Sequence, residues 1–191
     1  TYIDTGAMYR AVALFAINNG IDAKNETEKL ISRLNEVEID IKYTDEGQQI
    51  YLLGENVSKR IREEDVSVGA SNVAVIPEVR KKLVELQRKM AESANVIMDG
   101  RDICSYVLPN ADVKVYLTAS VECRAMRRFK ELEGKGETCD FEQIRQDIQE
   151  RDERDMTREI APLKQAEDAT LIDSSEMGID DVVKAIIALK K

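Results

Sequence analysis

The sequence predicts an α/β fold built on a parallel sheet. Short apolar segments of strand length alternate along the chain with longer segments of helical periodicity, which is typical of parallel strands joined by helical crossovers. One segment, Val96-Ile97-Met98, is a continuous apolar run followed by Asp99-Gly100-Arg101-Asp102. This pattern predicts a strand buried on both faces of the sheet, with charged residues at its carboxyl end. The 191 residues and the hydrophobic fraction of 43% suffice for one domain with a small insert.

The first part of the chain is predicted to form a strand, three helices and a small antiparallel sheet. Asp4 or Thr5 would cap the first helix, and Gly20 would end it. Alternating apolar and polar residues over Val37–Tyr43 predict a half-buried strand, and a turn at Thr44–Gly47 leads into the next strand. The predicted elements are a strand at Tyr2–Ile3, helices at about Ala7–Asn18 and Glu26–Leu34, strands within about 37–58 that include Gln48–Leu53 and a short one near Val57, and a helix from about Glu63 to Val73.

The rest of the chain is predicted to alternate helices with strands. Pro77 begins a helix, because its missing N–H does no harm in a first turn. Gly134-Lys135-Gly136 interrupts a later helix. The predicted elements are the helix from Pro77, strands at Val96–Met98 and Val113–Leu117, helices at about Ser120–Leu132 and Phe141–Arg158, a strand at Ala169–Ile172, and a helix at about Gly178–Leu189.

Composition excludes several classes of function. The net charge of −9 argues against a general nucleic-acid binder, which needs a basic surface to displace phosphate counterions. The absence of histidine excludes histidine-based catalytic triads and histidine-containing zinc sites. Three widely spaced cysteines, Cys104, Cys123 and Cys139, indicate a reducing compartment. No apolar run approaches the roughly 20 residues of a spanning helix, so we expect a cytoplasmic protein without a membrane partner.

The helix predicted at 141–158 carries an apolar stripe that becomes charged. Phe141, Ile144 and Ile148 are spaced three and four residues apart, as on one helix face. The same spacing continues through charged residues: Arg151, Asp155 and Arg158, with Arg154 alongside. A solvated helix end with ordinary i,i+4 ion pairs is the alternative. Guanidinium groups that continue a buried stripe favour an anion-binding face, because their planar forks match phosphate oxygens.

Arginines also occur on three other elements. Arg10 lies one turn inside a helix that follows the strand end at Asp4-Thr5-Gly6, Arg101 follows a second strand, and Arg80 stands apart from the apolar residues of its helix. Arg80 by itself would be placed on the surface. Arginines on four elements, accompanied by Asp99, Asp102 and Asp155, suit phosphoryl transfer, in which catalysis is mostly positioning and charge stabilisation. Acyl transfer is disfavoured because no nucleophile–base pair is evident, and glycoside hydrolysis because arginines would depress the general acid's pKa.

Three motifs, in order, closely resemble those of bacterial cytidylate kinases. They are Asp4-Thr5-Gly6-Ala7-Met8-Tyr9-Arg10, Asp99-Gly100-Arg101-Asp102, and the segment from Arg151 to Arg158 followed by Ala161-Pro162-Leu163. The resemblance runs from Thr1 to the C-terminus. It implies a P-loop kinase fold, with a three-layer parallel sheet, helices on both faces, an antiparallel insert and a helical lid. It also implies a monomer that phosphorylates CMP and dCMP with ATP and Mg²⁺.

The resemblance assigns roles to individual residues. Those that match the acceptor's phosphate site are Arg10, Arg101 and Arg158. Those that match cytosine-recognising positions are Thr5, Ser71, Arg80 and Asp102. Around the sugar, the matching residues are Arg151 and Asp155, and Arg154 would face the transferred phosphate. Asp99 resembles a carboxylate that holds the water shell of Mg²⁺, and Arg127 and Arg128 would approach the donor nucleotide or lie on an exposed helix face.

The resemblance also implies a division into three parts. The core would comprise 1–22, 74–133 and 159–191; the NMP-binding domain 23–73, with its insert at about 37–58; and the lid 134–158. One feature of the family, the phosphate loop G-x-x-x-x-G-K-[ST], has no match in this sequence, and we expect it upstream of Thr1. Without that loop these residues should not catalyse. The alternatives are a nucleoside-monophosphate kinase for UMP or AMP, or a non-catalytic nucleotide-binding module if the chain begins at Thr1.

Overall fold

Helices alternate with parallel and antiparallel strands in the computed structural model, which describes residues 1–45 and 47–190. This arrangement confirms the predicted α/β class. The chain divides into two compact units, Thr1–Ile103 and Cys104–Lys191, and each is described by itself below.

The first unit is organised around a parallel strand pair and the helix that follows its first strand. β1 (Tyr2–Asp4) pairs with β5 (Ile97–Asp99), so that Asp4 lies opposite Asp99 at the carboxyl ends of the two strands. The Asp4 carboxylate accepts a hydrogen bond of 3.0 Å from the N–H of Ala7 and thereby caps α1 (Thr5–Asn18), as the sequence predicts. The elements are β1 (Tyr2–Asp4), α1 (Thr5–Asn18), α2 (Thr27–Arg33), β2 (Ile39–Thr44), β3 (Gly47–Leu52), β4 (Glu55–Asn56), α3 (Glu64–Val73), α4 (Pro77–Ser93) and β5 (Ile97–Asp99).

The apolar core of this unit centres on α1. Small residues such as Ala11 and Ala13 are fully buried on it and let α3 pack closely. Gly69 of α3 lies beside Ala13, where an added Cβ would approach the alanine methyl to 3.1 Å. Larger buried side chains, Phe15 and Leu83 among them, fill the remaining space. The core therefore holds the strand end at Asp4 and the first turns of α1 in fixed positions.

The expectation that Val96–Met98 is buried on both faces is wrong. The side chain of Ile97 is 71% exposed, and only Val96 and Met98 are partly covered. Among the described residues β5 pairs with β1 alone, so one edge and one face of the strand remain accessible to solvent. An apolar run reveals a strand here but not how many neighbours cover it.

The predicted antiparallel insert is confirmed. β2, β3 and β4 form a three-stranded antiparallel sheet in which Leu52 pairs with both Ile39 and Glu55. Glu46, within the predicted turn at Thr44–Gly47, lies outside the described residues. Between β3 and β4, Leu53 and Gly54 have φ values of +52° and +80° and form a two-residue turn.

The described part of the second unit, residues 104–190, contains another parallel strand pair and three α-helices. A π-helical turn at Ile103–Val107 bridges the sequence boundary between the units. β6 (Val115–Thr118) pairs with β7 (Thr170–Asp173), and the helices are α5 (Val121–Gly134), α6 (Phe141–Thr157) and α7 (Ile179–Ile187). Ser120 and Asp140 cap α5 and α6 by accepting hydrogen bonds from backbone N–H groups at 3.1 and 2.8 Å. No described helix is both long and apolar enough to span a membrane.

The predicted inner stripe of α6 is correct through Ile148 and wrong at Arg151. The half-buried positions continue through Asp152 and Asp155, whereas Arg151 is exposed. Asp152 accepts two hydrogen bonds from the guanidinium of Arg124 on α5, at 3.0 and 2.6 Å. Asp152 follows Ile148 by four residues and so lies on the same helix face, where it meets Arg124 of α5.

Candidate active site

The carboxyl ends of β1 and β5 bring together Thr5 and the Asp99–Asp102 segment. The buried Thr5 hydroxyl donates a 2.7 Å hydrogen bond to the carbonyl oxygen of Asp99. Gly100 lies against the same hydroxyl, so a Cβ there would clash with Thr5 Oγ1 and would lie 2.9 Å from Cδ1 of Ile103. Only glycine fits this position, which explains the glycine inside the Asp-Gly-Arg-Asp motif. The two motifs are thus packed directly on each other.

Asp99 has a perturbed carboxyl group. Partial desolvation raises its pKa above 3.8, and the negative charge of Asp4 raises it further, while a hydrogen bond with Tyr2 and the charge of Arg101 oppose the shift. Desolvation and the contact with Asp99 likewise raise the pKa of the Tyr2 hydroxyl. Neighbouring strand ends therefore hold a carboxylate whose charge would be favoured by an added cation.

Arg80 and Asp102 form a buried ion pair. The side chains are almost inaccessible (Arg80 is 1% exposed and Asp102 6%), and Nη2 of Arg80 contacts Oδ2 of Asp102. Nη1 donates to the carbonyl oxygen of Ala74 at 3.1 Å, and the guanidinium lies 5.8 Å from the ring centre of Tyr9. The surface placement of Arg80 is therefore wrong, because its charge is compensated by a residue 22 positions away.

The guanidinium of Arg80 also carries a buried donor, Nε, that has no hydrogen-bond partner among the described residues. Buried polar groups are nearly always hydrogen-bonded in folded proteins. An acceptor from a ligand or a water molecule would satisfy this donor.

Arg10 lies on the second turn of α1 and points towards α3. Its Nη1 donates to the carbonyl oxygen of Ile61 at 3.2 Å and to the hydroxyl of Ser67. Ser71 is half-buried one helical turn after Ser67, so both serines lie on the same face of α3. Arg101, which follows β5, is exposed. The first unit thus contains seven of the predicted residues: Thr5, Arg10, Ser71, Arg80, Asp99, Arg101 and Asp102.

The second unit contains the other predicted residues. The side chain of Arg158 is 6% exposed; its Nη1 lies 3.7 Å from Oδ1 of Asp155, and its Nε donates to the carbonyl oxygen of Ala161 at 2.8 Å. Arg151 and Arg154 are exposed on α6. The convergence of Arg158 with Arg10 and Arg101 stays a prediction.

The two arginines predicted near the donor nucleotide have protein partners. Arg127 donates to the carbonyl oxygen of Ser174 at 2.6 Å and lies 3.3 Å from its hydroxyl, just after β7. Arg128 forms a surface ion pair with Glu131 at 3.0 Å. Arg127 therefore joins α5 to the end of β7, whereas Arg128 lies on an exposed helix face.

Three residues with direct contacts were missed in the sequence. Tyr9 supports Arg80, Ser67 binds Arg10, and Arg124 binds Asp152. Tyr9 falls inside the first motif, and Ser67 precedes Ser71 by one helical turn. The places of these two residues in the sequence could therefore have identified them as part of the site. Nothing in the sequence around Arg124 indicated its contact, because its partner lies 28 residues away.

A cleft of about 660 Å³ lies beside β1 and is lined by residues that include Asp4, Gln48, Lys59 and Arg62. Arg62 reaches the Asp4 carboxylate at 3.4 Å, and Gln48 accepts a hydrogen bond from the N–H of Asp4 at 2.9 Å. None of the predicted substrate-binding residues is among the described residues that line it. The cleft is therefore distinct from the site built around Arg80 and Asp102.

Comparison with known proteins identifies the group to which this chain is similar. The sequence model described as cytidylate kinase matches residues 1–191. A cytidylate kinase of Caldicellulosiruptor bescii is 48% identical over 188 residues, which cover 98% of this chain and 83% of the relative. A cytidylate kinase of Shouchella clausii is 47% identical over 190 residues, covering 100% of this chain and 84% of the relative.

Proposed function

Because this chain belongs to the cytidylate kinase family, a group of nucleoside-monophosphate kinases that phosphorylate CMP, we propose that ATP is its phosphate donor, with Mg²⁺, and that dCMP is a second acceptor. We also propose that CMP binds at the residues named below. The observation that carries this proposal is the buried Arg80–Asp102 pair beside the Asp-Gly-Arg-Asp turn.

The pair suits recognition of cytosine. A carboxylate accepts hydrogen bonds only, and the cytosine edge offers an exocyclic amine where uracil has a carbonyl oxygen. The Arg80 guanidinium contacts Asp102 and offsets the charge of this carboxylate in its buried position. Its Nε would donate to an acceptor on the base, and Thr5 and Ser71 complete the proposed base site. In UMP, the uracil carbonyl oxygen would face the Asp102 carboxylate, and neither group could donate a hydrogen bond to the other.

The phosphate of CMP would be held by arginines. Arg10, Arg101 and Arg158 supply guanidinium forks that match phosphate oxygens, while Arg151 and Asp155 would contact the sugar. Arg154 would stabilise the charge on the phosphoryl group during its transfer, and the catalytic group would comprise Arg154, Arg158 and Asp99. Closure of the proposed lid, residues 134–158, would bring its arginines to the nucleotides and exclude water.

Asp99 is the proposed contact to Mg²⁺, through water. Mg²⁺ keeps several waters and binds by one or two carboxylates and substrate phosphates. Asp99 supplies one partly desolvated carboxylate, which fits this mode of Mg²⁺ binding. Among the described residues, no group of three or more acidic or cysteine side chains could hold a metal ion directly. When bound, the ion would neutralise developing phosphate charge. Arg127 and Arg128 stay proposed neighbours of ATP.

The proposal is tested by comparing the phosphorylation and binding of four nucleotides. A coupled ADP-release assay and calorimetry should be run with CMP, dCMP, UMP and AMP, on this chain and on a form extended upstream. We expect CMP and dCMP to bind best. Asp102→Asn should reduce the preference for CMP over UMP by about tenfold or more, about 1.4 kcal/mol, because the amide can also donate to the uracil carbonyl.

The matched control is Asp112→Asn, the same change at an exposed aspartate. Its nucleotide preference should equal that of the unmodified chain. Selectivity that is unchanged by Asp102→Asn would refute base recognition by Asp102.

A further inference from the structure

The segment that follows α6 contains a strained residue. Ala161 has a φ of +48°, in the left-handed region where a Cβ is crowded by the following carbonyl group. Pro162 comes next, and the residue before a proline is further restricted towards extended conformations. Gly136, in contrast, adopts a positive φ in the preceding loop without this penalty.

Two hydrogen bonds fold this segment back onto the last turn of α6. The Nε of Arg158 donates to the carbonyl oxygen of Ala161 at 2.8 Å, and the N–H of Leu163 donates to the carbonyl oxygen of Asp155 at 2.8 Å. We call the segment Arg158–Leu163 the Arg158 turn. A strained conformation persists where its surroundings impose it, and such residues cluster at functional sites.

The left-handed conformation of Ala161 is what presents its carbonyl oxygen to Arg158. The hydrogen bond at Nε fixes the plane of the guanidinium, and the Asp155 carboxylate lies 3.7 Å from Nη1. A long arginine side chain otherwise loses much rotamer freedom when it binds an anion. A guanidinium that is already oriented loses less, which favours binding.

We propose that Ala161 is a positioning residue: its backbone carbonyl orients Arg158 for the phosphate of the acceptor nucleotide. This inference rests on the proposed role of Arg158 in the preceding subsection. Ala161 itself touches no reacting atom. Its contribution is the strained turn that holds the guanidinium plane.

Three variants of this chain separate orientation from folding. Ala161→Val should open the Arg158 turn, because a β-branched residue avoids positive φ. Ala161→Gly should keep it, because glycine adopts this φ without strain. Ala166→Val is the control: it makes the same change five residues later, outside the Arg158 turn, at a residue whose φ is not positive.

The first measurement is hydrogen exchange at arginine Nε–H by NMR, with the Arg158 signal assigned through Arg158→Lys. In the unmodified chain this signal should exchange more slowly than that of Arg62, whose side chain is 68% exposed. Protection should survive in Ala161→Gly and Ala166→Val and be lost in Ala161→Val. Equal exchange for Arg158 and Arg62 in the unmodified chain would overturn the inference without any variant.

The second measurement is calorimetry with CMP and with cytidine, which lacks the phosphate. Ala161→Val should weaken CMP binding about tenfold, the effect of losing about 1.4 kcal/mol, and change cytidine binding less than about twofold. Equal loss for both ligands would mean general unfolding and would overturn the inference, as would no loss for either. If the unmodified chain does not prefer CMP to cytidine, the proposed role of Arg158 fails, and the exchange data show separately whether the turn holds its guanidinium.

Discussion

At the ends of β1 and β5, single residues are packed so closely that an added methyl group would clash with its neighbours. The Thr5 hydroxyl fills the space where Gly100 would carry a Cβ, and it donates to the carbonyl oxygen of the preceding Asp99. The direction in which the chain leaves β5 is set by this contact. Arg101 and Asp102, which follow at once, depend on it for their positions.

Gly100→Ala should therefore destabilise the chain by about 1–3 kcal/mol, because the new methyl group must displace Thr5 or Ile103. Urea unfolding measures the change. Gly134→Ala is the control: apart from its chain neighbours and its own helix backbone, no described heavy atom lies within 4 Å of an added Cβ there, so stability should stay within about 1 kcal/mol. Equal effects of the two substitutions would contradict the close packing at Gly100.

The raised pKa of Asp99 makes stability depend on pH. Desolvation disfavours the charged form in the folded chain, so the stability contributed by protonated Asp99 is present below about pH 3.8 and is lost as the pH rises through the raised pKa. Asp99→Asn stays neutral, so its unfolding free energy relative to the unmodified chain should increase between about pH 3 and about pH 6.

Asp22 provides a control of opposite sign for this measurement. A hydrogen bond from the Asn25 side chain lowers the pKa of Asp22, so its ionised form stabilises the folded chain and that contribution is lost as the pH falls. Asp22→Asn should therefore become less stable, relative to the unmodified chain, as the pH rises over the same interval. If the unfolding free energies of Asp99→Asn and of the unmodified chain change in parallel with pH, the desolvation of Asp99 is contradicted.

At the scale of elements, the hairpin between β3 and β4 contains an ill-suited residue. Leu53 and Gly54 are the two central residues of the turn, and both have positive φ, as a type I′ turn requires. Glycine suits its position, whereas leucine meets the steric penalty of the left-handed region. The strands hold the turn nevertheless, since Leu52 pairs with Glu55 across it.

Leu53→Asn should stabilise the chain by about 1 kcal/mol, because asparagine tolerates positive φ and is favoured in this turn. Thermal unfolding measures the gain. Leu53→Val should lower the melting temperature, since a β-branched residue fits this φ worse than leucine does. A melting temperature lower for the asparagine variant than for the unmodified chain would show that contacts of the exposed Leu53 side chain outweigh its strain.

At the scale of the whole molecule, the proposed lid lies entirely within the second unit. Its residues 134–158 include α6, which presents a largely polar surface and has no fully buried side chain. Such an element has little apolar packing to hold it in one place. The predicted division into core, NMP-binding domain and lid therefore remains a prediction about movement.

We expect CMP to protect the lid from trypsin, which cleaves after the lysines and arginines of this segment. Closure over the nucleotide would bury the backbone near Lys135, Arg145 and Arg151. Mass spectrometry of the fragments, with and without CMP, measures the protection. Cytidine, which has no phosphate to attract the arginines, should protect less, and identical cleavage in all three conditions would contradict lid closure.

The sequence by itself determined the α/β class, the order and approximate bounds of the elements, and the family. These features are local: periodicity, caps and short motifs depend on residues within a few turns of each other, so Asp4 could be named as a cap and 37–58 as an antiparallel insert. The motifs also named the candidate site residues, whose roles remain proposals.

Only the tertiary structure decided which charges are buried and what they contact. Arg80 is buried beside Asp102, which balances its charge, and Asp152 is half-buried on α6 beside Arg124. Ile97 is exposed on β5, which has one described neighbour. Each outcome depends on a partner from a distant part of the chain. Burying a charge is favourable only when such a partner is present, and periodicity within one segment carries no information about it.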